Sequence, residues 1–259
     1  MMNNALLASA LGLSLVCVLG WWRQCRTGNA GHADVIWAFG TGIASLFYLL
    51  VGDGHVLNRL LAAVLIGVWS LRLGWYIHRR LHGKPEDSRY RAMRDALGSR
   101  INLFHFFFFQ AQGLLAWLFA LPAWVIAQHH AVVSVPAMIA GVLVGVLALV
   151  GESVADRQLQ AFRSNPVNQG TTCRRGLWRY SRHPNYFFEW LHWFSYPLLA
   201  WGASHAGWLW LAPVLMFLFL WFVTGIPYSE RQALKSRGDD YRRYQQETSM
   251  FFPWPPRRA

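Results

Sequence analysis

Ala131-Val-Val-Ser-Val-Pro-Ala-Met-Ile-Ala140-Gly-Val-Leu-Val-Gly-Val-Leu-Ala-Leu-Val150-Gly151 runs without a charged side chain. About 20 mostly apolar residues are what a helix needs to cross a bilayer. With no water to hydrogen-bond its backbone, such a run has to be helical there. Working outward from this segment, six further runs of the same kind occur at about 5–22, 34–52, 56–77, 102–128, 186–203 and 207–226. The pattern predicts an all-α, polytopic membrane protein with seven transmembrane helices.

The charges orient it. Lys and Arg number 24 against 12 Asp and Glu, for a formal net charge of +12. Beyond the membrane, 22 of these cations fall in the segments 23–33, 78–101, 152–185 and 227–259, and the other two, Arg59 and Arg72, lie within the third span. The alternate connections carry none. Cations gathered on one side are cytoplasmic by the positive-inside rule, so the N-terminus is expected outside and the C-terminus inside. The first run has no basic residue before it and no clear small-residue cleavage site after it, and reads as a retained helix. The chain is treated as one integral-membrane domain over 1–259, with 1–128 as substrate-side helices and 129–259 as cofactor-binding helices, loops and tail. Charged residues make up 14% of the chain and it has 15 Trp, whereas soluble domains carry about 25% charged residues. A soluble domain, a basic disordered tail and a nucleic-acid binder are excluded. Cys17, Cys25 and Cys173 are scattered and imply neither a disulfide framework nor a metal site.

The chemistry concentrates at Gly176-Leu-Trp-Arg-Tyr-Ser-Arg-His-Pro-Asn-Tyr-Phe-Phe-Glu189-Trp-Leu-His-Trp193, where a basic loop enters the sixth run. Pro184 suits a first helical turn. Asn185, Glu189 and Trp193 then share one face at i, i+4 and i+8. An amide and a carboxylate just inside a membrane boundary are expensive without partners. At this spacing they can hold a carboxamide such as nicotinamide, Glu189 accepting its N–H and Asn185 donating to its oxygen, with Trp193 as a flat face below. The alternative is that Glu189 pairs with an Arg and Asn185 caps the helix.

Arg outnumbers Lys 22 to 2. Arg forks bind phosphate bidentately and stack on purines. Arg79, Arg80, Lys84, Arg163, Arg179 and Arg182 could therefore grip a dinucleotide, or anchor the chain to anionic headgroups. No glycine-rich Rossmann fingerprint occurs. In the tail, Tyr241 and Tyr244 share a face and either stack on an adenine or sit at the interface as belt aromatics. Asp34, and Arg72 with Tyr76 at i, i+4, are ionisable or polar residues in spans. Tyr76 could protonate a polarised carbonyl with Asp34 or Arg72 orienting it, or Arg72 and Tyr76 could snorkel to the interface. His105-Phe-Phe-Phe-Phe109 could wall a flat lipid or face the bilayer.

The Gly176-to-Tyr186 segment with Glu189 resembles the signature of the bacterial branch of the steroid 5α-reductase-like membrane reductases (DUF1295 type). Asp34-Val-Ile-Trp37, Trp69-Ser-Leu-Arg-Leu-Gly-Trp-Tyr76 with Arg79-Arg80, and the closing Tyr244-to-Phe-Phe-Pro-Trp pattern add to the likeness. It covers nearly the whole chain. It implies NADPH-dependent reduction of the carbon–carbon double bond of an enone lipid. Asn185 and Glu189 then face the nicotinamide, with Trp193 a turn later. Asp156 and Arg163 hold the nucleotide, with Arg179, Tyr180, Arg182, His183 and Tyr186 of the motif around it, and Arg72 lies near the substrate. Tyr228, Arg231, Tyr241 and Tyr244 match the family's tail across a gap. Steroid-reducing members polarise the enone with a Glu of the second span and a Tyr of the third. Here Asp34 is the nearest acid and alignment on Arg72 puts Trp69 at the Tyr position, so either Tyr76 substitutes from another turn or the substrate differs.

The sequence therefore reads as an inner-membrane NADPH-dependent reductase of bacterial type acting on a steroid-like or other lipid, without a metal, with membrane lipids around it and no nucleic acid. The rivals are an S-adenosylmethionine-dependent methyltransferase of the isoprenylcysteine or phospholipid type, which shares an Arg-His-Pro-x-Tyr motif and a similar tail, and a lipid-binding assembly protein.

Overall fold

A computed structural model describes residues 2–83, 86, 88–223 and 225–257. Among them the chain is all-helical. The helices are α1 (Met2–Thr27), α2 (His32–Val51), α3 (Val56–Leu81), α4 (Ser88–Leu97), α5 (Ile101–Ile126), α6 (Val135–Ser164), α7 (Pro184–His192), α8 (Ser195–Leu199), α9 (Leu211–Leu218, continued by a π-helical turn Phe219–Val223), α10 (Ile226–Arg237) and α11 (Asp239–Glu247).

Among the described residues, six stretches are long and apolar enough to cross a membrane: Met2–Thr27, His32–Val51, Val56–Leu81, Tyr90–Ile126, Val135–Ser164 and Ala206–Arg237. These overlap the expected spans except 186–203, which folds as the two short helices α7 and α8. The break has a local cause. Continuing α7 would require residue 197 to donate its N–H to the Trp193 carbonyl, and residue 197 is proline. The chain tightens instead, with Trp193 N–H donating to Trp190 O at 3.2 Å and Phe194 N–H to Leu191 O at 3.1 Å.

The chain forms two compact units, residues 1–137 with 199–209, and residues 138–198 with 210–259. In the first, α2 packs on α3 and α5, and α1 on α5 and α2. Small residues permit the approach: a Cβ on Gly42 would lie 2.1 Å from Ser70 Oγ, the close contact by which membrane helices gain packing. Polar side chains are answered within the unit. Ser70 Oγ donates to Ala38 O at 3.0 Å, Asn58 Nδ2 to Ala131 O at 2.8 Å and Ser14 Oγ to Gln110 Oε1 at 2.9 Å. Arg59 donates to Leu49 O at 2.7 Å and Leu50 O at 3.2 Å, placing its charge on the negative end of the α2 dipole. Leu7, Leu11 and Leu15 form an exposed apolar row on α1, as a lipid-facing helix requires.

In the second unit, Gly151 of α6 lets Phe188 of α7 lie against the backbone, where a Cβ would be 2.4 Å from the ring. Trp178 Nε1 donates to Ala155 O at 2.9 Å, fixing the basic loop on α6. Past the left-handed Gly238 (φ 52°), α11 follows α10 with its tyrosines turned inward. The tail then plugs the aromatic core. Phe251 is buried with its ring 5.4 Å from Phe217 and 5.7 Å from both Trp190 and Trp221.

Candidate functional site

In the second unit, two groups of the predicted residues come together. The first lies on α6 and α7. Pro184 opens α7, and the helical period sets Asn185 and Glu189 on one face. Asn185 Nδ2 donates to Asp156 Oδ1 at 3.3 Å, and Trp193 Nε1 donates to Glu189 Oε1 at 3.1 Å. Asp156, Glu189 and Trp193 are buried and Asn185 is half-buried. Trp193 is wholly enclosed, so it holds the Glu189 carboxylate from behind rather than offering a flat face. Below this row, His192 Nε2 and Tyr196 OH lie 2.7 Å apart, both buried.

The second group surrounds Glu230 of α10, which opens the tail that the sequence likens to the methyltransferases. Arg182 Nε donates to its Oε1 at 2.9 Å, His183 Nε2 lies 3.0 Å from the same oxygen, and Tyr241 OH donates to it at 2.7 Å. Gln245 Nε2 donates to Oε2. Four donors converging on one shielded carboxylate keep it ionised. Arg182 also donates to Gln245 O at 2.8 Å and Thr248 O at 3.1 Å, and so caps α11. Tyr244 OH donates to Trp178 O and, at 3.2 Å, to Ser181 O. Burial pushes the Tyr241 and Tyr244 phenols upward, with the Glu230 charge adding to the effect at Tyr241. Burial also lowers His183 below the ordinary imidazole range, outweighing the pull of Glu230. The His183 ring stacks on Tyr186 at 5.5 Å. Arg182, His183, Tyr241 and Tyr244 were expected to touch a cofactor. In this fold Arg182, His183 and Tyr241 meet on Glu230, Tyr244 is bonded to loop carbonyls, and the two tyrosine rings are buried in the chain's own packing.

The remaining predicted residues of this unit lie toward the surface. Arg163, Arg179 and Arg231 are exposed, and Arg231 Nε donates to Pro227 O at 3.0 Å. Tyr180 is exposed. Tyr228 OH accepts from Gln232 Nε2 at 3.1 Å.

In the first unit, Asp34 Oδ1 accepts from Tyr90 OH at 3.1 Å. Tyr90 belongs to α4 and is buried against Cys17, Ala30, Ala33 and Phe109. Trp69 is a core residue, wholly buried with its ring edge-on to Trp37 at 5.5 Å. Arg72 and Tyr76 are half-buried on α3, whereas Arg79 and Arg80 are exposed at its end. Lys84 lies outside the described residues. Beside Tyr90 a polar network closes this end of the bundle. Glu86 accepts from Arg94 Nε at 3.1 Å and from Ala30 N–H at 3.0 Å, and Gln24 Oε1 lies 2.9 Å from His105 Nδ1. Burial alone would raise the Glu86 carboxyl, but Arg94 and the Ala30 amide hold it below the usual range. His105 is fully buried, so it is a network residue rather than part of a lipid-facing stripe.

Among the described residues no cluster of His, Cys, Asp and Glu could hold a metal ion. The chain is 28% identical over 276 residues to a Schizosaccharomyces pombe protein described as "Uncharacterized protein C594.04c", an alignment that covers 94% of this chain and 79% of the yeast protein. Residues 20–248 match the family described as "Protein of unknown function (DUF1295)", and with so much of its length matched the chain belongs to that family.

Proposed function

We propose that this protein is a membrane reductase that uses NADPH to saturate the carbon–carbon double bond of an enone in a steroid-like or other lipid. The observation that carries the reading is the row Asp156, Asn185, Glu189 and Trp193. It joins an amide and two acids, with Asn185 bonded to Asp156 and, a turn further along the same face of α7, Glu189 bonded to Trp193. Such a row has the donors and acceptors that a carboxamide needs. The exposed Arg163 and Arg179 in the same unit are available for phosphate.

Bound NADPH supplies the hydride. The chain's own residues would do the rest. Asn185 and Glu189 orient the carboxamide, and Asp156 keeps the Asn185 amide in the donating pose. Asp34 and Tyr90 polarise the ketone. Asp34 would hold the Tyr90 phenol in place, and the phenol would donate to the carbonyl oxygen. Tyr90, or Tyr76 of α3, would take the role of the tyrosine whose place Trp69 occupies. The basic loops would face the cytoplasm, with the N-terminus outside, in a bacterial inner membrane.

The test is a thermal-shift titration of the detergent-solubilised protein with NADPH and, separately, with S-adenosylmethionine. NADPH should raise the melting temperature and Glu189→Gln should abolish that shift. A shift with S-adenosylmethionine alone would replace the reductase by a methyltransferase.

A further inference from the structure

A second feature of this unit lies where the tail crosses the motif. Residues 249–257 run as an extended strap beside Tyr180–Arg182. Arg182 N–H donates to Ser249 O at 2.9 Å, Ser181 Oγ to Phe251 O at 2.8 Å, and Trp254 N–H to Tyr180 O at 2.9 Å. Arg257 N–H closes the strap onto α11 by donating to Glu247 O at 2.9 Å. A cavity of about 340 Å³ lies between the strap and the end of α11, within the size range of small-molecule sites, roughly 300–1,000 Å³.

Its walls have a specific chemistry. Trp254 is 71% exposed, yet its backbone is tied to Tyr180, so a large flat ring is held out at a fixed place. Gln246 brings a carboxamide, Arg257 a guanidinium and Glu247 a carboxylate whose charge is answered by Arg174 at 3.8 Å, while the Gln245 amide donates to Glu230. The carbonyl end of α11 would repel an anion, but Arg182 already bonds Gln245 O and Thr248 O there. Arg182 also lines the cavity, and three residues later the chain reaches Asn185. An aromatic face, an amide edge and a cation together recognise a purine nucleoside carrying phosphate. The two tyrosines first expected to stack on adenine are buried, whereas Trp254 presents the exposed ring on the same tail.

We infer that this strap cavity takes the adenosine end of the nucleotide cofactor, with Trp254 stacking on the adenine and Arg257 facing the phosphates. This rests on the reductase reading only for the identity of the nucleotide, because NADPH and S-adenosylmethionine share adenosine. The full-length protein in detergent is assayed by calorimetry with NADPH, 2′,5′-ADP, reduced nicotinamide mononucleotide and S-adenosylmethionine. Trp254→Ala should weaken NADPH and 2′,5′-ADP about tenfold, the loss expected for one base stacked on an aromatic ring. Trp254→Phe should restore most of the affinity, and the mononucleotide should bind wild type and W254A alike. Because Trp254 is exposed, an unchanged melting temperature is expected for W254A. Equal 2′,5′-ADP affinity in wild type and W254A would overturn the inference, as would an equal loss for the mononucleotide, or no binding of any adenosine compound by wild type. Binding of S-adenosylmethionine but not NADPH, weakened by W254A, would sink the reductase reading and leave the cavity assignment standing.

Discussion

Replacing Glu230 by Ala tests whether the tail is clasped to the motif as described. The Glu230 side chain is 12% exposed, and its partners Arg182 and His183 are 10% and 6% exposed. Without the carboxylate, Arg182 keeps its two carbonyl acceptors on α11, but Nε loses its partner. Tyr241 OH and Gln245 Nε2 lose theirs as well. Removing one member of a shielded ion pair costs about 3–5 kcal/mol, because the remaining charge stays buried. At roughly 2–4 °C per kcal/mol for a chain of this size, the melting temperature should fall by about 10 °C. Glu230→Gln retains a carbonyl acceptor and should lose about half as much. The assay is a fluorescence melt in detergent, paired with limited proteolysis, in which residues 238–257 should become cleavable in E230A while α1–α3 stay protected. An E230A melt within about 2 °C of wild type would refute the clasp, since that corresponds to under about 1 kcal/mol.

Tyr90→Phe should lower kcat for NADPH-dependent enone reduction by about 100-fold or more, the range for a positioned general acid, with NADPH affinity unchanged. Asp34→Asn should act in the same direction, and a Y90F enzyme at full rate would remove Tyr90 from the reaction. Burial lowers His183, so below the ordinary imidazole value of about 6.5 the unfolded chain binds the proton more readily than the folded one. Stability from this residue is therefore present above that pH and is lost as pH falls through the window beneath it. Melting temperature should drop on acidification from about pH 7.5 to 5.5, with a shallower drop in His183→Gln, and parallel profiles would argue against the assignment.

The spans were legible because length and apolar content are local properties. The exception, 186–203, has the composition of a span but carries Pro197 in its interior, and one missing N–H divides it into α7 and α8. The row of Asn185 and Glu189 was also legible, since i, i+4 spacing fixes a shared face once Pro184 marks the helix start. Their partners were harder to see. Asp156 came only through family resemblance, and Trp193 was identified without its enclosure.

Glu230 stands out as the only acid on α10 and as the head of the closing tail, but its donors lie at 182, 183, 241 and 245, and pairing over such separations is set by tertiary folding. With 22 Arg against 12 acids in the chain, charge alone could not say which Arg is neutralised internally and which faces a ligand. Tyr90 was lost within a segment read as a basic loop. Its signal was the spacing of Tyr90, Met93 and Leu97, an apolar stripe on a short helix among arginines. That stripe carries the phenol into the first unit, where it meets Asp34.

The central claim is hydride transfer to a lipid, and isotope tracing tests it most directly. Membranes containing the protein are incubated with NADPH deuterated at the transferable C4 position and a steroid-like enone, and the extracted lipid is weighed by mass spectrometry. The account predicts a saturated product carrying one deuterium at the β-carbon, absent in Glu189→Gln membranes. An unlabelled, unreduced enone, together with a methyl group transferred from labelled S-adenosylmethionine to a lipid, would contradict it.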